Sequence, residues 1–343
     1  AAKCKKPIER LWLQSMTPSA IRDAFAHLRT DAEMQNLADA ARSRSEADWL
    51  VGINGTRAMT AFNSKDGGFF LTTVGRVQTP TLAIVMEREE KINSFVSRPY
   101  WEVHAEVQCE AGQYGAVWFD PTFKKNEKDP HQKAERIWSK EEAECIGQLI
   151  SGQPATVKQS AKRTTQLSPL LFDLTSLQRE ANNRFGFSAK TTLALAQALY
   201  EKHKALTYPR TDARALPEDY LGTVNETLEM LKESPRYVSS VGAIQAHRWV
   251  KPSKRIFDNS KISDHFAIIP TLQAPKKLTE AEEKIYDLVV KRFLAVFFPA
   301  AEYDVTTRIT SVAGQSLKTE GKVLVKAGWL EVYGREVEDA ESL

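Results

Sequence analysis

The chain has 343 residues, a formal net charge of +3, 42% hydrophobic residues and 27% charged residues, which suits a folded protein of two or three domains of about 100–200 residues each. No apolar run approaches the roughly 20 residues that span a bilayer, and the start lacks the unbroken apolar stretch of a signal peptide. Cys4, Cys109 and Cys145 are scattered outside any CxxC pair or Cys/His cluster, which argues against a disulfide framework or zinc site and for reduced thiols in the cytoplasm.

In chain order, Ile8 to Arg44 reads as helical, with Thr17 as an N-cap and Pro18 at the first helical position of "TPSAIRDAFAHLRT". Helices are expected to continue as far as Gly67-Gly68, and "FLTTVGRVQTPTLAIVMEREEKINSF" runs through a glycine and a proline into another. Near Tyr100 the pattern changes. "YWEVHAEVQC" and "QYGAVWF" alternate as strands, "DPTFKKNEKDPHQKAE" is a charged loop, and "PATVKQSAKRTT" is a strand leaving the same sheet. From Leu170 to about Val296 helices return, two of them separated by a turn at Phe185-Gly186-Phe187, the second capped by Ser188. "EYDVTTRITSVAGQSLKTEGKVLVKAGWLEVY" then alternates again, as a short antiparallel sheet would. The expected architecture is mixed α and β: a strand-rich module at 100–165, resumed at about 300–335, with a helical module inserted between its halves.

Three stretches carry chemistry. In "LTYPRTD", Tyr208 is followed by Pro209 and Arg210. A phenol with an ordinary pKa of about 10 is a poor nucleophile at neutral pH, and a guanidinium nearby would stabilise the phenolate and bind a phosphate oxygen. By itself such a tripeptide is more often a turn with a surface arginine. In "SDHFAIIPT", Asp264 and His265 stand at the edge of an apolar run, where a histidine can donate to a phosphate or move a proton, or be a satisfied structural residue. In "TTVGRVQTPT", Gly75 allows close backbone approach, Arg76 can contact a phosphate, Gln78 can bond to a base edge or sugar, and Pro80 starts a helix. The basic run "HRWVKPSKRIFDNSK" could track phosphates, although a solvated face is the plainer reading.

Together and in this order, "VGRVQTPTLAIVMERE", "LFDLTSLQREANNRFGFSAKTTLALAQALYEKHKALTYPRTD", "DHFAIIPT" and "EGKVLVKAGWLEVY" resemble the type IA DNA topoisomerases over almost the whole chain, with wording nearest to the bacterial or plasmid topoisomerase III branch. The resemblance implies a toroid with a helical base segment (1–98), a strand-rich arch (99–168 and 298–343) and an inserted helical domain bearing the tyrosine (169–297). It places Tyr208 on the nucleophile that becomes joined to a 5′ phosphate, Arg210 on the arginine at the scissile phosphate, and His265 on the active-site histidine. Gln197 and Thr207 match positions close to the tyrosine. Thr73, Arg76 and Gln78 match the strand-binding segment, and Arg44 and Asp48 the helix that reads a base upstream of the cut.

The implied partner is single-stranded DNA, for which a basic groove with aromatic platforms is expected. Phe172, Phe185, Phe187 and Trp249 lie near these segments but read mainly as core. The implied setting is the bacterial cytoplasm, at nucleoid or plasmid, as a monomer. No G-x-x-x-x-G-K-[ST] loop is present, in keeping with resealing that needs no nucleotide. The family's Toprim domain, with its catalytic glutamate and the D-x-D-x-E cluster that holds Mg2+, finds no counterpart here, so no metal is expected on this chain, which is expected to be inactive in cleavage without that domain. The alternative is a single-strand-binding or scaffold protein derived from the arch.

Overall fold

The computed structural model describes residues 6–13, 18–125, 127, 129 and 131–334. The chain separates into two compact units, residues 1–12 with 22–99 and residues 13–21 with 100–343.

In the first unit, strand β1 (Glu9–Arg10) pairs antiparallel with β2 (Arg29–Thr30); helix α1, between them in sequence, spans Pro18–Ala26. A 3-10 turn (Ala32–Met34) leads into the 29-residue helix α2 (Gln35–Asn63), and α3 covers Gln78–Asn93. The uniformly helical reading of Ile8–Arg44 is therefore corrected. Arg10 Nε donates to Asp31 Oδ1 at 2.8 Å, so a contact between residues 21 apart holds the short ladder that local periodicity could not reveal. The expected cap Thr17 lies outside the described residues. Pro80 falls at the third residue of α3, inside the first turn where its missing N–H costs nothing.

No side chain of α2 or α3 is buried. A polar stripe holds the following segment along α2. Thr56, Thr60, Asn63 and Ser64 recur at helical spacing and bond to residues 70–74: Val74 N donates to Thr56 Oγ1, Thr72 N to Thr60 Oγ1 and Phe70 N to Ser64 Oγ, each at 3.0 Å, and Asn63 Nδ2 donates to Thr72 Oγ1 at 2.7 Å.

Among the described residues from 100 onwards, the second unit contains a five-stranded antiparallel sheet and six α-helices. Strands β3 (His104–Cys109), β4 (Gly112–Trp118), β5 (Ala155–Gln166), β6 (Ala301–Val312) and β7 (Gln315–Lys326) lie in the order β3-β4-β7-β6-β5. β5 pairs with β6 over its whole length although some 135 residues separate them in sequence, from Ala155 opposite Val312 to Gln166 opposite Ala301. Between β4 and β5, helix α4 (Lys140–Ile150) follows the charged loop. It was not anticipated, although Ser139 accepting from Glu142 N is the usual N-cap signature.

Helix α5 (Leu174–Phe185) starts in a capping box between Asp173 and Ser176 and ends at Gly186, whose φ of 69° is left-handed. Helix α6 (Ala189–Glu201) is capped by Ser188, as the sequence indicated. Helices α7 (Leu221–Lys232), α8 (Val238–Ala246) and α9 (Glu280–Ala295) complete the set. α9 buries Ile285, Leu288, Val289 and Phe293 at the centre of one large core that also takes in Phe172, Leu199, Leu206 and Ile268. "GWLEVY" is a 3-10 helix (Gly328–Tyr333) rather than a strand. Gly328 sets it there: its φ is 53°, a Cβ would lie 2.5 Å from Ala300 O, and Trp329 N and Nε1 donate to Pro299 O and Gln166 O.

Candidate active site and strand-binding segment

After α6 the backbone turns through Lys204, with φ 53°, and runs extended beside residues 267–271. Thr207 N donates to Ile269 O and Thr271 N to Ala205 O, both at 3.0 Å, and Leu206 bridges Pro270. Burial of Leu206 and Pro209 on either side anchors this strand and leaves Tyr208 half-buried, with Arg210 and His265 exposed.

Two threonines staple the tyrosine segment to the histidine segment. Thr207 Oγ1 donates to Ala267 O at 3.0 Å and accepts from Ile269 N at 2.9 Å, so both its functions are used inside the protein. Thr211 Oγ1 donates to His265 O and accepts from Ala213 N, both at 3.0 Å. These bonds bring residues 57 apart in sequence into contact. The His265 ring lies 4.3 Å from the Tyr208 ring between centroids, and Tyr200 meets Tyr208 edge-on at 5.4 Å.

Arg210 Nη2 donates to Gln197 Oε1 at 3.2 Å, and Gln197 Nε2 donates to Glu201 Oε1 at 2.9 Å. The Gln197 amide is thus oriented with its oxygen towards the guanidinium. Sequence reading singled out Gln197 but missed Tyr200, Glu201 and Thr211. Spacing held the signal: 197, 200 and 201 share one face of α6, and Thr211 repeats Thr207 on the same side of an extended segment.

In the first unit the other named residues also meet. Asp48 on α2 forms an ion pair with Arg76, and Arg44 stands exposed one turn before Asp48. Thr73 Oγ1 donates to Gln78 Oε1 at 2.9 Å. Gly75 leaves open space where a side chain would be.

The basic run 247–261 is largely committed to holding the fold. Lys254 pairs with Glu218, Arg255 donates to Ser168 O, and Lys261 pairs with Asp258 at 2.8 Å. Hydrogen bonds from Lys261 and Ser260 hold the Asp258 carboxyl down at about 2. Phe172 is fully buried, and Phe185, Phe187 and Trp249 pack partly buried against the core. Among the described residues no group of three or more His, Cys, Asp or Glu side chains could hold a metal ion.

The arrangement is a phenol in contact with an imidazole, with a guanidinium held by Gln197 two residues further along the same stapled segment. A family model described as DNA topoisomerase matches residues 32–343, and the chain belongs to that family, the type IA DNA topoisomerases. DNA topoisomerase 3 of Bacillus cereus is 42% identical over 341 residues, covering 98% of this chain and 44% of that protein. The protein of the same name from Bacillus subtilis is 40% identical over 348 residues, covering 99% of this chain and 44% of its own length. The full-length topoisomerase I structure from Thermotoga maritima shares the fold, with a TM-score of 0.59 at 23% identity over 97% of this chain and 51% of that one. The chain thus spans less than half the length of the curated relatives it matches.

Proposed function

We propose that this chain carries the strand-cleaving tyrosine of a type IA topoisomerase of the topoisomerase III kind, acting on single-stranded DNA in the bacterial cytoplasm. The observation that carries the proposal is the meeting of His265, from one motif, with Tyr208 of another, which also supplies Arg210 held by Gln197. Tyr208 Oη attacks the phosphorus of a phosphodiester, the new O–P bond forms as the bond to O3′ breaks, and the strand ends as a 5′ phosphotyrosine and a free 3′ hydroxyl. The phenolic proton leaves towards the His265 side, and O3′ takes up a proton as it departs. Arg210 faces the charge that develops on the non-bridging oxygens, and Gln197 keeps it in place. The reverse attack by O3′ reseals the strand, because the phosphotyrosine ester keeps the energy of the broken bond. In the first unit Thr73, Arg76 and Gln78, with Arg44 and Asp48, would hold the strand. The helical base, the arch and the inserted tyrosine domain divide as 1–98, 99–168 with 298–343, and 169–297.

Cleavage by this reading needs the acidic, magnesium-holding part found in the family. The test supplies the chain with the part of a relative that it does not span, magnesium and an end-labelled single strand. A 3′-labelled fragment is expected to remain on the protein after denaturation and to vanish in Tyr208→Phe; an unchanged adduct in that variant rejects the assignment. Arg210→Ala is expected to slow adduct formation about 100-fold or more while strand binding changes little. Equal loss of both would make it a binding residue.

A further inference from the structure

The sheet has two chemically different faces, and strand register decides which residue lies on which. Residues directly opposite one another in an antiparallel sheet share a face, and alternate residues of a strand return to it. Lys158 lies opposite Ile309, which lies opposite Lys318. Four residues along, Lys162 lies opposite Val305, which lies opposite Lys322. The pairing is regular through this region, since the only register shift between β6 and β7 falls at Glu302/Tyr303. All four lysines therefore project from one face.

On β5, β6 and β7 that face holds a single carboxylate, Glu320, which pairs with Lys318 at 2.6 Å. Lys158 and Lys162 are exposed and have no ion pair among the described residues. Lys322 is exposed and lies 3.6 Å from the Tyr303 ring centroid. Ser160 and Thr307 stand between the two lysine rows, adding hydroxyl donors.

The opposite face is the control that nature provides. There Arg163 pairs with Asp304 at 2.9 Å, Lys326 with Glu302 at 2.9 Å, and Arg308 donates to Gln159 at 2.7 Å while lying over the Tyr114 ring. Every one of those cations is answered within the sheet. On the lysine face Lys318 alone of the four has a carboxylate partner, and Lys158, Lys162 and Lys322 form no ion pair among the described residues.

We propose that this face is a second DNA-contacting surface, separate from the tyrosine site, which takes the sugar–phosphate backbone without reading its sequence. Two strand spacings place the lysine rows of β5 and β7 about 10 Å apart, and four residues place successive lysines about 13 Å apart. Four ammonium groups at those separations, with hydroxyls between them, suit phosphates of one or two backbones, contacts that carry no base code, and the ring on this face, Tyr303, lies under Lys322. A membrane would require apolar anchors beside the charges, whereas Val305 and Ile309 are already partly covered.

The test is binding of a fluorescent oligothymidylate, and of a duplex of equal length, to the whole chain carrying Tyr208→Phe, as salt is varied. Replacing Lys158, Lys162, Lys318 and Lys322 together by Gln is expected to lower affinity about tenfold or more at low salt. The slope of log K against log salt should shrink by about 3 for the single strand, since each phosphate contact releases its counterion. If the duplex slope shrinks too, the surface takes duplex; if only the single-strand slope shrinks, it takes single strands. Arg163→Gln with Lys326→Gln on the opposite face should leave both slopes in place, and unchanged far-UV and thermal melting profiles show that the fold persists. An unchanged slope in the fourfold variant, an equal loss from the opposite-face pair, or competition by polyglutamate as strong as by unlabelled oligothymidylate would each overturn the proposal. Because the readout is binding with the tyrosine removed, its failure leaves the cleavage assignment standing, and the reverse also holds.

Discussion

The two units are held together by different physics. Residues 22–99 include α2 and α3, yet none of their described side chains is buried, and Phe69 and Val96 remain 77% and 78% exposed. Order there comes from helix hydrogen bonds, the threonine and asparagine stripe along α2, and ion pairs such as Asp48 with Arg76. Residues 100–334 instead surround a continuous apolar core in which Phe172, Leu177 and Phe293 are fully buried. The same helical periodicity is written in both regions, so periodicity alone shows where helices form and not what they are packed against. The tyrosine segment thus rests on a core that can fix it, while residues 70–78 are tied down by exposed polar groups.

The largest test of this contrast is paired truncation. Phe293→Ala is expected to cost about 3–5 kcal/mol in urea unfolding, and Phe62→Ala, at 61% exposure, to stay within about 0.5 kcal/mol. Comparable losses at both positions would show that the first unit is packed in solution as the second is. A pair of glycines sharpens the comparison at smaller scale. Gly328→Ala puts a methyl against Ala300 O and Pro299 O at a left-handed φ and should cost about 2–4 kcal/mol, whereas Gly75→Ala enters open space and should leave the melting temperature nearly unchanged.

The smallest effect concerns acid. Asp258 has its carboxyl lowered to about 2, so it takes up a proton more readily in the unfolded chain than in the folded one. Its contribution is complete above the ordinary carboxylate value near 4 and is lost as pH falls through about 2. Asp258→Asn should flatten the stability profile of the second unit between about pH 4 and pH 2, and a slope that persists in that window would mean that other carboxylates carry it.

Fixed locally by the amino-acid order are the helix boundaries with their own capping groups: Asp173 with Ser176 before α5, Gly186 after it, and Ser188 before α6. A cap needs a partner only three or four residues away, so the sequence holds both halves of the interaction. The motifs around Tyr208, His265 and Arg76 were legible for a similar reason, since each is a short run of chemically distinctive residues. The β1–β2 pair, the match of β5 to β6, the meeting of Asp48 with Arg76 and the contact of the His265 ring with Tyr208 were decided only by tertiary structure. Each joins groups about 20 to 150 residues apart, and no local preference specifies such a contact. The two-faced sheet is the sharpest instance: every lysine was visible in the sequence, but which of them share a surface depends on a register set between distant strands.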